Sequence, residues 1–147
     1  MTQSPSPTAP PPALFRLAAD PALAGIVQAL RTGAIVARAD VSVLELMGPG
    51  AVTCLQGLLT NDLEKPGDGA FVYGALLTPK GMIVVDGWAA RLGTTVRYTV
   101  PAAGRDRAHA IFERSIPPRL ARTADRSSDL AVVRLAGVHA LALAEAA

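Results

Sequence analysis

The sequence predicts an α+β fold, a mostly antiparallel sheet with helices packed on it. Three observations carry this. Val41-Ser42-Val43-Leu44-Glu45-Leu46 and Thr95 to Val100 alternate with the two-residue period of half-buried strands. Phe71 to Leu77 and Met82 to Ala90 are strand-like segments that flank Thr78-Pro79-Lys80-Gly81, a hairpin signal. Helix signals are interspersed among these strands, the mixture expected when helices cover one face of a sheet.

Taken in order, residues 1–13 are rich in Pro, Ser and Thr and predict a disordered or polyproline-like tail, with residues 14–147 forming the folded domain. Asp20-Pro21 reads as N-cap and first turn of a helix over 21–31, with Gly33 near its end. After the 41–46 strand, Gly48-Pro49-Gly50 opens a short helix whose apolar stripe is Val52, Leu55, Leu58 and Leu59. The hairpin follows, then the third strand after Gly93. Gly104 to Ser115 reads as a helix with Ala108, Ile111 and Phe112 on its apolar face, stopped by Pro117-Pro118. Leu120 to Thr123 is a weak short strand and Leu130 to Leu135 a stronger one, after which a helix begins at Val138. The predicted core is Leu44, Leu46, Leu55, Leu59, Leu76, Ile83, Val84, Ile111, Phe112 and Val133.

The 147 residues suffice for one domain with a real core, and half of them are apolar, which argues against wholesale disorder. Aromatics are 4%, so Ala, Val and Leu must build most of that core. A net charge of +2 is too small to imply nucleic acid. Arg105, Arg107, Arg114, Arg119, Arg122 and Arg126 form a modestly basic stretch, half offset by Asp106, Glu113 and Asp125, and read as a solvated face. Cys54 is the only cysteine, so no intrachain disulfide forms, and its helical position reads as a buried, inert thiol. His109 and His139 lack ligand spacing, so no metal site is expected. The N-terminus has neither the basic nor the apolar region of a secretory signal, and no apolar run approaches the ~18 residues of a membrane span. The expected location is the cytoplasm.

Four residues are candidates for chemistry. Asp86 is a lone acid among apolar neighbours, and an unpaired buried carboxylate is costly, so it is solvated, paired, or part of a site. Tyr73 offers a ring face and a hydroxyl to a ligand, or simply a place in the sheet. Asn61 and Asp62 favour turns by bonding nearby backbone, which gives them a structural reading beside any ligand-facing one. Lys80 belongs at the solvated tip of the hairpin turn, which lacks the glycine run of a phosphate loop.

The ordered residues Gly48, Ala51, Leu55, Gln56, Thr60-Asn61-Asp62, then Tyr73, Leu76-Leu77-Thr78-Pro79-Lys80-Gly81 and Asp86, form two blocks. They resemble the glycine-cleavage T-protein (aminomethyltransferase) family and its YgfZ-type folate-binding branch; Ala29-Leu30-Arg31-Thr32-Gly33-Ala34 is similar to a segment upstream. The resemblance implies the first domain of that fold, with tetrahydrofolate as cofactor. It implies Asp86 beside the pterin, where a carboxylate can assist methylene transfer, with Tyr73 and the Asn61-Asp62 loop lining the cavity. The family often carries a tandem acid pair where this chain has Val85-Asp86.

The resemblance also implies later domains and, in the YgfZ-type branch, a K-G-C-Y-T-G-Q-E motif that does not occur before Ala147. The expectation is therefore the N-terminal portion of such a protein, truncated at its C-terminus: a fragment, a truncated paralogue or a frame-shifted product. Its role would be folate-linked support of iron–sulfur cluster enzymes or RNA modification, without catalysis by this portion. The alternatives are an aminomethyltransferase missing its later domains and a non-catalytic interaction module. The expected partners are a folate-type small molecule and further copies of the chain, through the surface that later domains would cover.

Overall fold

The computed structural model describes residues 21–147; the Pro-rich tail and the expected N-cap Asp20 lie outside them. The elements in order are α1 (Pro21–Thr32), β1 (Ile35–Arg38), β2 (Val41–Met47), α2 (Ala51–Gln56), β3 (Phe71–Leu77), β4 (Ile83–Leu92) and β5 (Thr95–Pro101). A 3₁₀ turn at Ala102–Gly104 leads into α3 (Arg105–Ser115), followed by β6 (Arg122–Asp125), β7 (Val133–Ala136) and α4 (Ala140–Glu145). Among the described residues they form two compact units, 21–38 with Val133–Ala147, and Ala39–Val132.

In the first unit β1 and β7 make an antiparallel ladder, Ile35 opposite Ala136 and Arg38 opposite Val133. Strand β1 was not expected, because Ile35-Val36-Ala37 shows no alternation. Strand β7 begins at Val133, later than the predicted 130. Val133, predicted as core, is 51% exposed, because it ends a two-stranded ladder.

The second unit is the α+β domain that the alternation predicted. Its antiparallel sheet has the order β3-β4-β5-β2-β6. One face carries Leu76 of β3, Val85 and Ala89 of β4, Val96, Tyr98 and Val100 of β5, and Leu44 and Leu46 of β2, all buried. Leu55 of α2 and Ala108, Ile111 and Phe112 of α3 are buried in the same cluster. Leu59 is buried there too, and Val52, Cys54 and Leu58 pack on it partly buried, so the Cys54 thiol is less enclosed than expected. Burying a Leu or Phe side chain stabilises by roughly 1.5–3 kcal/mol, which makes this layer the main source of order.

Glycines at the start of α2 follow from a close approach. A Cβ on Gly48 would lie 2.8 Å from the Leu120 carbonyl oxygen, one on Gly50 2.9 Å from the Leu120 Cβ, and Gly50 N–H donates to that carbonyl at 2.9 Å. The hairpin turn is as read: Thr78 N–H donates to the Met82 carbonyl at 2.8 Å, Gly81 takes a positive φ of 80°, and Lys80 is exposed. One core assignment, Ile83, fails at its exit, and a second, Val84, is met only in part. The ladder skips a residue between Leu76↔Val85 and Leu77↔Ile83, a β-bulge at Val84. The bulge turns Ile83 to the outer face, where it is 69% exposed, and leaves Val84 partly buried against the core. The weak strand predicted at 120–123 lies two residues later, as β6.

Candidate functional site

Strand alternation places the remaining side chains of β3, β4, β5 and β2 on the opposite face of the sheet. The register arranges them in cross-strand rows. One row runs Phe71, Ala90, Arg97, Glu45; the next runs Tyr73, Trp88, Thr99, Val43; a third pairs Ala75 with Asp86. Phe71 and Trp88 stack at 4.7 Å between centroids and 7° between planes, and Tyr73 meets Trp88 edge-on at 5.2 Å. These residues are 63%, 41% and 48% exposed, so the stack and its edge-on tyrosine form an aromatic platform open to solvent rather than a packed core.

The Tyr73 hydroxyl donates to Oδ2 of Asp86, diagonally across the ladder. The same carboxylate, accepting that bond, pushes the Tyr73 ionisation above its ordinary value, with desolvation and the Asp86 charge acting in the same direction. Asp86 is half-buried and paired, so the first two of its three sequence readings are both met. Beneath the platform Tyr98 is fully buried and its hydroxyl donates to the Gly74 carbonyl at 3.0 Å. Burial raises the Tyr98 ionisation strongly, and the charge of Asp86 adds to it.

The Thr60-Asn61-Asp62 segment works on backbone. Thr60 N–H donates to the Ala75 carbonyl at 3.0 Å and Thr60 Oγ1 accepts from Ala75 N–H at 2.9 Å. Asn61 Nδ2 donates to the Tyr73 carbonyl at 2.9 Å. Together they occupy three outward-facing polar groups of edge strand β3, the Ala75 N–H and carbonyl and the Tyr73 carbonyl, which would otherwise stand open. Asp62 Oδ1 accepts from Glu64 and Lys65 N–H at 3.0 and 2.9 Å, and Gln56 Oε1 accepts from Leu63 N–H at 2.7 Å, which shapes the loop leading to β3. The structure thus joins Asn61 to Tyr73 through the strand backbone and Tyr73 to Asp86 through side chains. The Asp62 carboxylate is engaged by its own loop.

The alternation had not drawn attention to Phe71 and Trp88. The signal was present: each lies two residues from a candidate, Phe71 from Tyr73 and Trp88 from Asp86, so period-2 spacing puts each on its candidate's face of the strand. Two concavities, of about 420 and 450 Å³, lie elsewhere, between α3 and β6 and between α2, the hairpin turn and α3; neither is lined by Tyr73 or Asp86. Among the described residues no group of three or more His, Cys, Asp or Glu could hold a metal ion, and no helix is long and apolar enough to cross a membrane. In the basic stretch Arg105 pairs with Asp106 at 2.9 Å and Asp125 at 3.4 Å, and Arg126 with Asp129 at 3.0 Å.

Residues 12–147 match the family model of the GCVT N-terminal domain. The chain belongs to that family. Among solved structures it is similar to the glycine cleavage system aminomethyltransferase T from Bartonella henselae, with 22% identity and a TM-score of 0.67. The match covers 81% of this chain and 33% of that one, so the chain spans a third of that protein's length. At this identity the likeness speaks for the fold, and it bears out the α+β reading. No curated protein matches the chain.

Proposed function

We propose that this GCVT N-terminal domain supplies one wall of a folate-type site, with Asp86 and Tyr73 facing the pterin and the Phe71–Trp88 stack as its platform. The observation that carries this is the Tyr73–Asp86 hydrogen bond on an exposed aromatic face. A flat, polar heterocycle fits such a face: its ring lies on the aromatics and its ring nitrogens reach the carboxylate. Asn61 belongs to the site as the residue that fixes the Tyr73 backbone, and Asp62 as the one that shapes the adjoining loop.

An open face encloses far less of a ligand than the ~70–90% of a good pocket, so the affinity of this chain for tetrahydrofolate should be in the millimolar range. The test follows the single indole N–H resonance of Trp88, the only tryptophan, during titration with 5-formyltetrahydrofolate. A saturable shift that Asp86→Asn abolishes supports the reading. A shift that Asp86→Asn leaves untouched removes Asp86 from the site, and no shift at all removes the site.

Within this reading, folate handling is favoured over aminomethyl transfer by this portion. The position where the resemblance calls for a second acid holds Val85, which is buried in the core. Support of iron–sulfur enzymes or RNA modification is the finer role that the YgfZ-type resemblance would give such a protein. A non-catalytic module that associates with itself is the second reading, favoured by the exposure of Phe71, Met82 and Ile83. Sedimentation of a clean monomer at high concentration counts against it.

A further inference from the structure

The aromatic platform has a cationic neighbour that the folate reading does not use. Arg97 of β5 stands in the row Phe71, Ala90, Arg97, Glu45. Its Nε donates to Glu45 Oε2 at 2.8 Å, and Glu45 is only 5% exposed. Glu45 Oε1 also faces Arg126 Nε at 3.6 Å, so two guanidiniums share one buried carboxylate, and Asp129 engages Arg126 from its other end.

This arrangement fixes Arg97 without saturating it. A buried acid on Nε orients the planar guanidinium, which is pre-organised for bidentate recognition of a carboxylate. The Arg97 side chain is 40% exposed, and among the described residues Nε is the one nitrogen of the group that makes a hydrogen bond. The outer edge is therefore presented to solvent in a set direction. Ala90 is all that separates Phe71 from Arg97 along the row, and its methyl group raises no wall. Two strand spacings of ~4.8 Å put the two backbones roughly 10 Å apart.

We infer that Arg97 is the acid-binding residue of this face, taking the carboxylate of an aromatic acid whose ring system lies on Phe71 and Trp88. The inference rests on the folate reading for the identity of the ligand, since a folate joins its rings to a glutamate, but the chemistry it names is wider: a flat ring with a carboxylate about one nanometre away. Glu45 is the positioning residue that holds Arg97 in place.

Three probes separate the parts, each titrated into the full chain and followed by the Trp88 indole resonance: 5-formyltetrahydrofolate, p-aminobenzoyl-glutamate and 6-methyltetrahydropterin. Arg97→Gln should weaken the two glutamate-bearing probes roughly fivefold, the upper scale for an exposed ion pair, and leave 6-methyltetrahydropterin unchanged. Arg97→Gln leaves Glu45 short of a partner, so the double variant Glu45→Gln/Arg97→Gln, which removes both charges, serves as the second test and should show the same pattern. Equal weakening of all three probes in both variants would mean that Arg97 acts through the fold and would overturn the inference. So would folate binding indifferent to Arg97, or no binding of any probe. Binding of p-aminobenzoyl-glutamate that depends on Arg97, with no binding of the pterin, would sustain the acid site and reject the folate reading.

Discussion

Replacing Leu55 by alanine tests how the core reaches the site. Helix α2 is only six residues long, and its N-cap Gly50 makes no side-chain capping bond, so packing must hold it. Leu55 is fully buried among the sheet and α3 side chains, and Leu59, one turn on, begins the segment that locks β3. A buried Leu→Ala change costs about 2–5 kcal/mol in lost transfer energy and cavity. For a domain of this size that lowers the melting temperature by roughly 10 °C or more. Denaturant unfolding followed by Trp88 emission measures the loss. Hydrogen exchange of the Ala75 amide, bonded to Thr60 Oγ1, reports whether the edge of β3 loosens with it. A loss under about 1 kcal/mol with Ala75 protection unchanged would refute the view that α2 packing holds the edge.

The remaining predictions concern titration and the edge tether. Asp86→Asn should bring the Tyr73 ionisation down toward the ordinary value of 10.0, read by ultraviolet absorbance titration in a chain with two tyrosines, Tyr98 remaining silent until the core opens. Because the folded-state ionisation of Tyr73 is raised, the stability it brings is full below pH 10 and fades as pH rises through its folded value; an alkaline unfolding profile identical in the variant would contradict this. Asp68 moves the opposite way: the Gly93 amide at 2.6 Å, then the Gly69 amide at 3.0 Å, hold its carboxyl below the ordinary value. Its contribution is present above the ordinary carboxylate range and is lost as pH falls through the depressed value, and Asp68→Asn should flatten that acid limb. Asn61→Ala frees the Tyr73 carbonyl and should speed exchange along β3 and shift the Trp88 indole resonance, while Asp62→Ala, acting on its own loop, should leave that resonance in place.

The layers were legible in the sequence and the register was not. Alternation in 41–46 and 95–100 announced two half-buried strands with a period of two; it put Leu44 and Leu46 in the core, where Val96, Tyr98 and Val100 of the second strand join them. The Thr78–Gly81 turn announced the hairpin. A plain pairing around that turn would set Leu77 opposite Met82 and Tyr73 opposite Asp86. The turn sets Leu77 opposite Ile83 instead, and the bulge at Val84 adds a second residue to the shift, so that Trp88 faces Tyr73 and Asp86 sits opposite Ala75. No local residue pattern announced that extra residue; it follows from how Val85 and Leu76 meet the core together. Glu45 shows the same limit: it is one residue of an alternating strand in the sequence, and only the fold brings Arg97 and Arg126 to cover it. Strand β1 was hidden because its partner β7 lies nearly a hundred residues away in sequence.

The geometry of the face comes from its glycines as much as from its aromatics. Gly74 and Gly87 are cross-strand partners. On the core side, a Cβ on Gly74 would lie 2.6 Å from Leu59, so the missing side chain is what lets the segment after α2 close against β3 and bring Asn61 to the Tyr73 carbonyl. A Cβ on Gly87 would collide with the Thr99 carbonyl, and here β4 parts from β5: their last pair is Trp88↔Thr99, whereas β5 continues beside β2 to Pro101 and β4 beside β3 to Ile83. Asp86 lies just past that parting. A sheet that stayed closed would place a β5 neighbour beside its carboxylate; a sheet that opens leaves the carboxylate half-buried, held by Tyr73 and accessible from the platform. The acid that looked out of place in an apolar strand is thus accommodated by the glycine that follows it.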